Sequence, residues 1–342
     1  MAVTIKDVAR AARVSVASVS RALNGHHSMT AATRKRILAA AKKLRYTPHS
    51  AARTLITRRT QTIGALLPDL HGEFFSELIR GIDLAARARG LHLLVSSSHG
   101  DAREAATALR AMLGRVDGLL LMSPHVDAGF LRQMRAELPM VLMNSPVKRA
   151  RCAILNIDNY GGAFAMVQHL VASGRRRIAL IGGPDGNFDA AERLRGYNAA
   201  MARFAPAIPT QVLSGDFTEE GGHRATRDLV ANKLRPQAVF AANDMMAVGC
   251  LHALREAGVR VPEDIAVTGF DDVPFARLIS PALTTVRVRI ADFGAHALER
   301  LATMIEDTTD AAREKHAQLL GAELVVRQSC GAKELLVSSA VA

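Results

Sequence analysis

The chain has 342 residues, which is more than one hydrophobic core usually serves, so two or three domains are expected. Apolar residues make up 49% of the chain but fall in short runs, which excludes an intrinsically disordered protein and a membrane-spanning one. The net charge of +12 is concentrated at one end: residues 1–60 hold 13 Lys and Arg against one acid, Asp7, while the remaining residues hold 31 of each sign. A cationic module attached to a neutral body predicts a polyanionic partner.

Two further features indicate the environment of the protein. The three cysteines, Cys152, Cys250 and Cys330, are far apart and form no CxxC motif, so we expect reduced, buried thiols without a metal role. The first residues contain no apolar segment typical of a signal peptide. These patterns predict a cytoplasmic protein with no membrane association, no metal and no cofactor.

The cationic module contains three predicted helices. Thr4–Asp7 fits a capping box that begins a helix extending to about Ala12. Ser15 begins a second helix, and a third spans Thr30 to about Tyr46. The residues spaced to face inward are Val19, Ala22 and Leu23 in the second helix and Ile37, Leu38, Ala41 and Leu44 in the third. Two short helices joined by a tight turn, with a third bracing them, form the helix-turn-helix plan.

Three runs in this region stand in a fixed order: T-I-K-D-V-A-R-A-A-R-V-S-V-A-S-V-S-R-A-L-N (Thr4–Asn24), L-R-Y-T-P-H-S-A-A-R-T-L (Leu44–Leu55) and T-I-G (Thr62–Gly64). Together they closely resemble the head of the LacI/GalR family of bacterial transcription regulators. The resemblance implies that the second helix lies in the DNA major groove. It also implies that the first two positions of that helix and the arginine on its exposed edge read bases.

Those base-reading positions are Val16, Ala17 and Arg21. Arg21 can donate two hydrogen bonds to guanine O6 and N7, which is worth about 1–3 kcal/mol of discrimination, whereas Val16 and Ala17 offer only apolar contact. A phosphate contact is the alternative role for Arg21. The other residues of the helices implied to contact DNA, several of them through phosphates, are Thr4, Ser15, Ser20, Asn24 and Thr30.

Pro48–Thr57 resembles the hinge helix of the family. Ala52 is small enough for two such helices to approach closely in a dimer. Leu55 would be the apolar wedge inserted between base steps from the minor groove, and an ordinary linker leucine is the alternative. His49 is a departure, since the family often has Asn there, but it stays within the implied minor-groove contact region.

From Thr62 onward, β-rich runs alternate with amphipathic helices, which predicts parallel sheets covered on both faces. The predicted strands are Ile63–Leu67, Leu91–Val95, Gly118–Leu121, Val141–Met143, Ile178–Ile181, Ala238–Ala241 and Ile265–Thr268. The predicted helices are Phe75–Arg89, Arg103–Gly114, Gly161–Val171, Ala190–Phe204, Asp244–Ala257 and Asp292–Ile305. The length suits two doubly wound lobes with a cleft between them, similar to the periplasmic-binding-protein-like core of the family.

The expected fold class is therefore α/β, with an all-α helix-turn-helix head ahead of that two-lobed core. The expected boundaries are 1–46 for the head, 47–61 for the hinge helix and linker, 62–332 for the effector-binding and dimerisation core, and 333–342 for a tail. Within the core, the N-lobe is expected at about 62–158 and 290–318, and the C-lobe at about 159–289 and 319–332.

Ordered motifs in the core support the resemblance: Glu192–Tyr197, Ala241–Gly249, Val267–Asp272, Pro281–Val286 and Glu323–Ser329. By the resemblance, Arg193, Asn243 and Asp271 bind the polar groups of an effector. A guanidinium, an amide and a carboxylate suit a polyol, because they supply both donors and acceptors. The alternative is that Asn243 and Asp271 cap helices and turns, a role for which Asp244 and Asp272 are better candidates.

Aromatic and polar residues are expected along the cleft walls. Phe217 stands where relatives carry a stacking aromatic, although a core role is equally open. Phe74 and Phe75 follow D-L-H-G-E, where the family more often has N-P-F-F, so this wall gains a carboxylate or an imidazole. Asn144, just after a strand, is a further expected cleft residue.

The sequence shows no GxGxxG, GxxxxGK[ST], GxSxG or HExxH motif, so we do not expect an enzyme. The prediction is a homodimeric, sequence-specific transcription regulator, in this family most often a repressor, that binds a pseudo-palindromic operator in double-stranded DNA. A small effector, expected to be a carbohydrate, would control operator affinity. The alternatives are a nucleobase-like co-repressor or an effector-independent architectural DNA-binding protein.

Overall fold

The computed structural model describes residues 3–23, 29–46, 59–122, 138–147, 152–232, 235–307 and 317–331. It divides the chain into two compact units, Met1–Thr60 and Gln61–Ala342. The predictions for Asn24 and for the hinge segment, including His49, Ala52 and Leu55, lie outside the described residues. No helix in the described ranges is long and apolar enough to cross a bilayer.

The described residues of the first unit form three helices, α1 (Ile5–Ala12), α2 (Val16–Leu23) and α3 (Ala31–Lys43). Each helix contributes a fully buried side chain to a small common core, and these are Val8, Val19 and Ile37. At the start of α1, the backbone N–H of Thr4 donates to the Asp7 carboxylate, as the capping-box pattern predicts, and the Thr4 hydroxyl donates to the same carboxylate.

The third helix differs from its prediction in two ways. It ends at Lys43 rather than near Tyr46, because Arg45 takes a left-handed backbone conformation with φ of 50°. Leu38 is 43% exposed instead of buried. Ile37 and Ala41 lie four residues apart on the inner face, and Leu38 projects about 100° further round the helix.

The second unit is built from twelve strands and seven long helices among the described residues. The strands are β1 (Thr62–Leu67), β2 (His92–Ser97), β3 (Gly118–Leu121), β4 (Met140–Met143), β5 (Ala153–Ile157), β6 (Ile178–Ile181), β7 (Gln211–Leu213), β8 (Ala238–Ala241), β9 (Ala266–Thr268), β10 (Thr285–Arg287), β11 (Ala317–Leu320) and β12 (Glu323–Val325). The helices are α4 (Glu73–Ala88), α5 (Ala102–Met112), α6 (Asn159–Ala172), α7 (Phe188–Phe204), α8 (Glu219–Ala231), α9 (Asp244–Glu256) and α10 (Ile290–Glu306).

These elements form two parallel sheets. The N-lobe sheet has the order β11-β5-β4-β3-β1-β2, and the C-lobe sheet has the order β7-β6-β8-β9. Every paired strand within these sheets is parallel, and the central strands are buried along their whole length. A short antiparallel ribbon of β10 and β12 completes the unit. The predicted fold class is confirmed: an all-α head accompanies a core of two parallel-sheet α/β lobes.

Several elements are missing from the sequence-based assignment. The unpredicted strands are β5, β7, β10, β11 and β12, and the unpredicted helix is α8. The four strands other than β5 have only three or four residues each, and β11 at the sheet edge is largely exposed. These four strands therefore carry no clear apolar signal in the sequence. Helix α8 contains the pair Gly221 and Gly222, which opposes a helix assignment from sequence.

Candidate DNA-binding surface and effector cleft

Helix α2 presents its predicted base-reading residues on one exposed edge. Val16 is 40% exposed, Ala17 and Arg21 are exposed, and Val19 is buried on the opposite side. The Arg21 Nε donates to the Ala17 carbonyl at 3.3 Å, which aligns the side chain along the helix. Because this bond uses Nε, the two terminal nitrogens are compatible with bidentate donation to a base edge.

The polar residues around α2 act as helix caps in the structure. The Ser15 hydroxyl accepts from the Ser18 N–H at 3.2 Å, and the Thr30 hydroxyl accepts from the Thr33 N–H at 3.3 Å. Ser15 and Thr30 are exposed and Ser20 is half-buried. Their predicted contacts with DNA, like that of Thr4, remain predictions.

The second unit contains a cavity of about 590 Å³ between its lobes, within the range usual for small-molecule sites. All seven predicted effector residues line it: Phe74, Phe75, Asn144, Arg193, Phe217, Asn243 and Asp271. Asn144 follows β4, Asn243 follows β8, and Asp271 follows β9, so all three lie beyond the carboxyl ends of parallel strands. This is where open α/β sheets generally bind ligands.

Arg193 lies at the centre of the cleft floor and is only 3% exposed. Its Nε donates to the Asn159 side-chain oxygen at 2.8 Å, and one terminal nitrogen donates to the Asp271 carboxylate at 3.0 Å. The other terminal nitrogen donates to the carbonyl of Ala242. The guanidinium also lies over the Phe270 ring, 3.8 Å from its centroid. Internal partners therefore hold Arg193 in place and balance its charge.

Asp189 belongs to the same network, and sequence reasoning missed it. Its carboxylate accepts from the Asn159 amide at 2.7 Å and from the Asn144 amide at 3.1 Å. Asn144 belongs to the N-lobe and Asp189 to α7 of the C-lobe, so this second bond crosses the cleft. The spacing in the sequence could have indicated this residue, because Asp189 precedes Arg193 by four residues and therefore lies on the same face of the helix.

The two carboxylates around Arg193 are perturbed in the same direction. Burial raises the pKa of Asp189 to about 6, and burial likewise raises the pKa of Asp271 to about 6. In both cases the positive charge of Arg193 opposes the shift but does not cancel it. The floor of the cleft therefore holds two acids whose ionisation depends on pH in the mildly acidic range.

Asn243 is the N-cap of α9, a role for which the sequence favoured the neighbouring Asp244. Its side-chain oxygen accepts from the Met246 N–H at 2.9 Å, and its amide donates to the Phe217 carbonyl at 2.9 Å. Asp244 is instead buried and accepts from the Thr285 hydroxyl at 2.5 Å and the Val273 N–H at 2.9 Å. The expectation of Asp244 as the cap was wrong, because the extended backbone at Asn243 precedes the first helical residue.

Asp272 also has a different role from the predicted cap. Its carboxylate accepts from the Arg287 Nε at 2.7 Å and from an Arg327 terminal nitrogen at 2.6 Å. These bonds fasten the β10–β12 ribbon beside the cleft rather than terminating a helix.

The aromatic residues lie on opposite walls. Phe217 is half-buried, adopts a left-handed backbone conformation with φ of 68°, and places its ring 5.7 Å from the Arg193 guanidinium. Phe74 and Phe75 begin α4 and pack edge to face with centroids 5.5 Å apart. The cleft thus offers apolar faces beside its polar floor.

The lining of the cleft is strongly acidic. Its carboxylate residues are Asp69, Glu73, Asp185, Asp189, Asp216, Glu219, Glu220 and Asp271. Among the described residues that line it, Arg193 is the one Lys or Arg. Since Asp271 and Asp189 already surround that guanidinium, the described part of the lining has a negative field and offers no exposed Lys or Arg to an anionic ligand.

Comparisons with known proteins agree with both units. Residues 4–49 match the model of the bacterial regulatory proteins of the lacI family, and residues 167–330 match the periplasmic binding protein-like domain. The ribose operon repressor of Escherichia coli (strain K12) is 38% identical over 311 residues, which cover 90% of this chain and 94% of that protein.

Solved structures agree at the level of the whole chain. The crystal structure of the lac repressor dimer bound to operator and the anti-inducer ONPF has a TM-score of 0.86 at 29% identity, covering 96% of this chain and 99% of that one. The complex of the transcriptional regulator CelR with cellobiose has a TM-score of 0.71 at 32% identity, covering 96% and 99%. This chain belongs to the LacI/GalR family, and it is a DNA-binding transcriptional repressor whose core is an effector-binding domain.

Proposed function

We propose that an uncharged carbohydrate binds in the cleft and controls the affinity of this repressor for its operator. The observation that carries the proposal is the buried arrangement of Asp189, Arg193 and Asp271, in which carboxylate oxygens face a cavity of sugar size. Carboxylates accept hydrogen bonds from hydroxyl groups, and the half-buried Phe217 ring supplies an apolar face for a pyranose or furanose ring.

The negative charge of the described cleft lining favours a neutral effector over an anionic one. A phosphate or carboxylate would approach a described lining that holds eight acids, of which Asp271 pairs with Arg193 and Asp216 pairs with Arg224. Neutral hydroxyl groups avoid this repulsion. The names of two similar proteins, the ribose operon repressor and the CelR–cellobiose complex, also point to neutral sugars.

On the DNA side, we propose that Val16, Ala17 and Arg21 read bases in the major groove of each operator half-site. Thr4, Ser15, Ser20, Asn24 and Thr30 would set the register through the backbone, and His49, Ala52 and Leu55 would contact the minor groove. A homodimer would present two such heads to a pseudo-palindromic site in the bacterial cytoplasm.

Exposed apolar side chains on both lobes support the dimer. Leu84 and Leu94 in the N-lobe are 52% and 38% exposed, and Phe275 and Leu278 in the C-lobe are 46% and 70% exposed. Contact with a second copy of the chain would remove these side chains from water.

Coupling between the two functions would pass through the lobes. The main chain connects them at three places, between β5 and α6, between β10 and α10, and between β11 and β12. The Asn144–Asp189 hydrogen bond crosses the cleft, so a ligand that replaces it would change the relative position of the lobes. A coupling of about 1–3 kcal/mol would change operator affinity by roughly 5–150-fold.

The test is selection of genomic DNA fragments by the purified repressor at near-physiological salt, with and without a panel of neutral sugars and their phosphates. We expect one pseudo-palindromic site whose retention changes with a neutral sugar and not with the corresponding phosphate. Retention that no small molecule alters would contradict effector control and favour the architectural alternative. A response to a nucleobase instead would replace the carbohydrate with the co-repressor alternative.

A further inference from the structure

Helices α8 and α9 of the C-lobe carry a cluster of metal-ligating side chains on their shared outer surface. His223 comes from α8, while His252 and Glu256 lie four residues apart on one face of α9. The ligand atoms of all three lie within 4.8 Å of one another. His223 is half-buried, and the other two side chains are exposed.

The distances between these atoms are close to those of a coordination site. The Nε2 of His223 lies 2.8 Å from one Glu256 oxygen, and the Nε2 of His252 lies 3.4 Å from the other. Ligand atoms bound at about 2.0–2.1 Å in a tetrahedral site lie roughly 3.3 Å from one another, so small side-chain rotations suffice to bring the three around one ion.

The helix backbones hold this geometry because α8 and α9 pack with unusually close contact. A Cβ atom on Gly222 would collide with the carbonyl of Met246, and one on Gly249 would collide with the carbonyl of Glu219. The two glycines therefore allow the backbones to touch directly beside His223 and His252. The backbone positions of His223 and His252 are thus set by rigid helix packing rather than by flexible loops.

A second carboxylate lies near His252, just beyond hydrogen-bond distance. Glu219, at the start of α8, places a side-chain oxygen 4.0 Å from the His252 Nδ1, on the ring edge opposite the ligand nitrogen Nε2. A carboxylate that accepts a hydrogen bond from the far nitrogen is the usual partner of a metal-binding histidine, and a small rotation of the Glu219 side chain would bring it into that position. Two cations lie nearby: Arg224 forms an ion pair with Asp216 at 2.8 Å, and the positive charge of Arg227 acts on Glu256.

We propose that His223, His252 and Glu256 form a binding site for a divalent transition-metal ion of the zinc type. Two imidazoles and a carboxylate suit Zn²⁺ and its neighbours rather than Mg²⁺ or Ca²⁺, which prefer oxygen ligands. Three protein ligands leave one coordination position open at the surface. The ion would link α8, which follows Phe217, to α9, which Asn243 caps, and so brace one wall of the effector cleft.

The test is metal titration of the untagged, full-length repressor after removal of bound metal with a chelator. Co²⁺ serves as the spectroscopic probe, followed by competition with Zn²⁺, and each variant is checked by circular dichroism. We expect one ion per protomer with visible absorption bands typical of tetrahedral Co²⁺, displaced by Zn²⁺. His223→Gln, His252→Gln and Glu256→Gln should each weaken binding at least about tenfold.

The matched control is His296→Gln, which removes an exposed helical histidine from α10 of the other lobe and should leave the titration unchanged. Glu219→Gln should weaken the metal less than loss of a ligand, as expected of an orienting residue. Stoichiometric binding that survives all three ligand substitutions, or no cobalt bands in the parent protein, would overturn the proposal.

Discussion

The predicted DNA-reading surface of the head and the effector cleft are built from the chain in opposite ways. The base-reading residues of the head lie within six consecutive residues on the exposed edge of α2, where water and salt surround them. In the cleft, Arg193 and Asp271 are 78 residues apart in the chain and meet in a buried ion pair. A short stretch of sequence can therefore specify an exposed DNA-reading surface, whereas a buried, desolvated site forms only when distant segments fold together.

Substitutions of charged residues should therefore have different energetic consequences in the head and in the cleft. Charges of the head are screened by salt, so the loss of one should mainly affect DNA binding. Charges of the cleft are desolvated, so the loss of one partner should affect the stability of the core itself.

The largest effect is expected from Asp271→Ala. This change removes the carboxylate that pairs directly with the buried Arg193 guanidinium, and it should lower the free energy of unfolding of the core by about 3–5 kcal/mol. It should also abolish the effector response. Urea denaturation and effector titration of operator binding measure the two effects. Glu263→Ala, which removes an exposed acid, is the control and should cost less than about 0.5 kcal/mol. An unchanged response would place the effector elsewhere.

Arg21→Ala tests the exposed surface. Its loss should reduce discrimination between operator and unrelated DNA by about 1–3 kcal/mol without changing the stability of the protein. Fluorescence anisotropy with both DNAs at several salt concentrations gives the discrimination. Lys35→Ala, an exposed cation of α3, should weaken binding to both DNAs similarly. Equal losses on both DNAs for Arg21→Ala would assign it to a phosphate contact instead.

The buried acids of the cleft should make the stability of the core depend on pH. Burial raises the pKa of Asp189 and Asp271 from 3.8 to about 6, so between these values the folded state binds more protons than the unfolded state. Their contribution to stability should therefore fall as pH rises through this window, by on the order of 1 kcal/mol per pH unit for one extra proton. Effector affinity should change in the opposite direction, because only ionised carboxylates are full acceptors.

Urea denaturation across this pH window measures the slope, with Asp189→Asn as the matched variant. The substitution keeps the size of the side chain and removes one titrating group, so the slope should become shallower. A slope identical to that of the parent protein would show that Asp189 is not the group responsible.

Thr30→Ala should have the smallest effect. The hydroxyl caps α3, and its loss should destabilise the head by about 1 kcal/mol, visible as a lower midpoint in thermal melts of the operator complex. Thr30→Ser retains the capping oxygen and should behave like the parent protein. If Thr30→Ser also lost operator affinity, the methyl group rather than the cap would be responsible.

The sequence predicted the helices of the head more completely than the strands of the core. In the head, caps such as Thr4 and Thr30 and the inward spacing of Val19 and Ile37 gave correct helix starts. Helical periodicity did not separate Leu38 from the buried Ile37, since adjacent residues differ by only about 100° around the axis. In the core, the sequence predicted most of the buried central strands, whereas it missed β5 and the short strands β7, β10, β11 and β12.

Chain order and residue type by themselves determined the alternation of strands and helices, the exposed edge of α2, and the presence of polar residues after the strands. Only the tertiary structure decided the partners of those residues. It brought Asp189 and Asn159 to Arg193, buried Asp244 against Thr285, and placed His223 against His252. The physical reason is that capping and periodicity act over a few residues, whereas desolvation, charge pairing and close backbone packing depend on segments that meet only after folding.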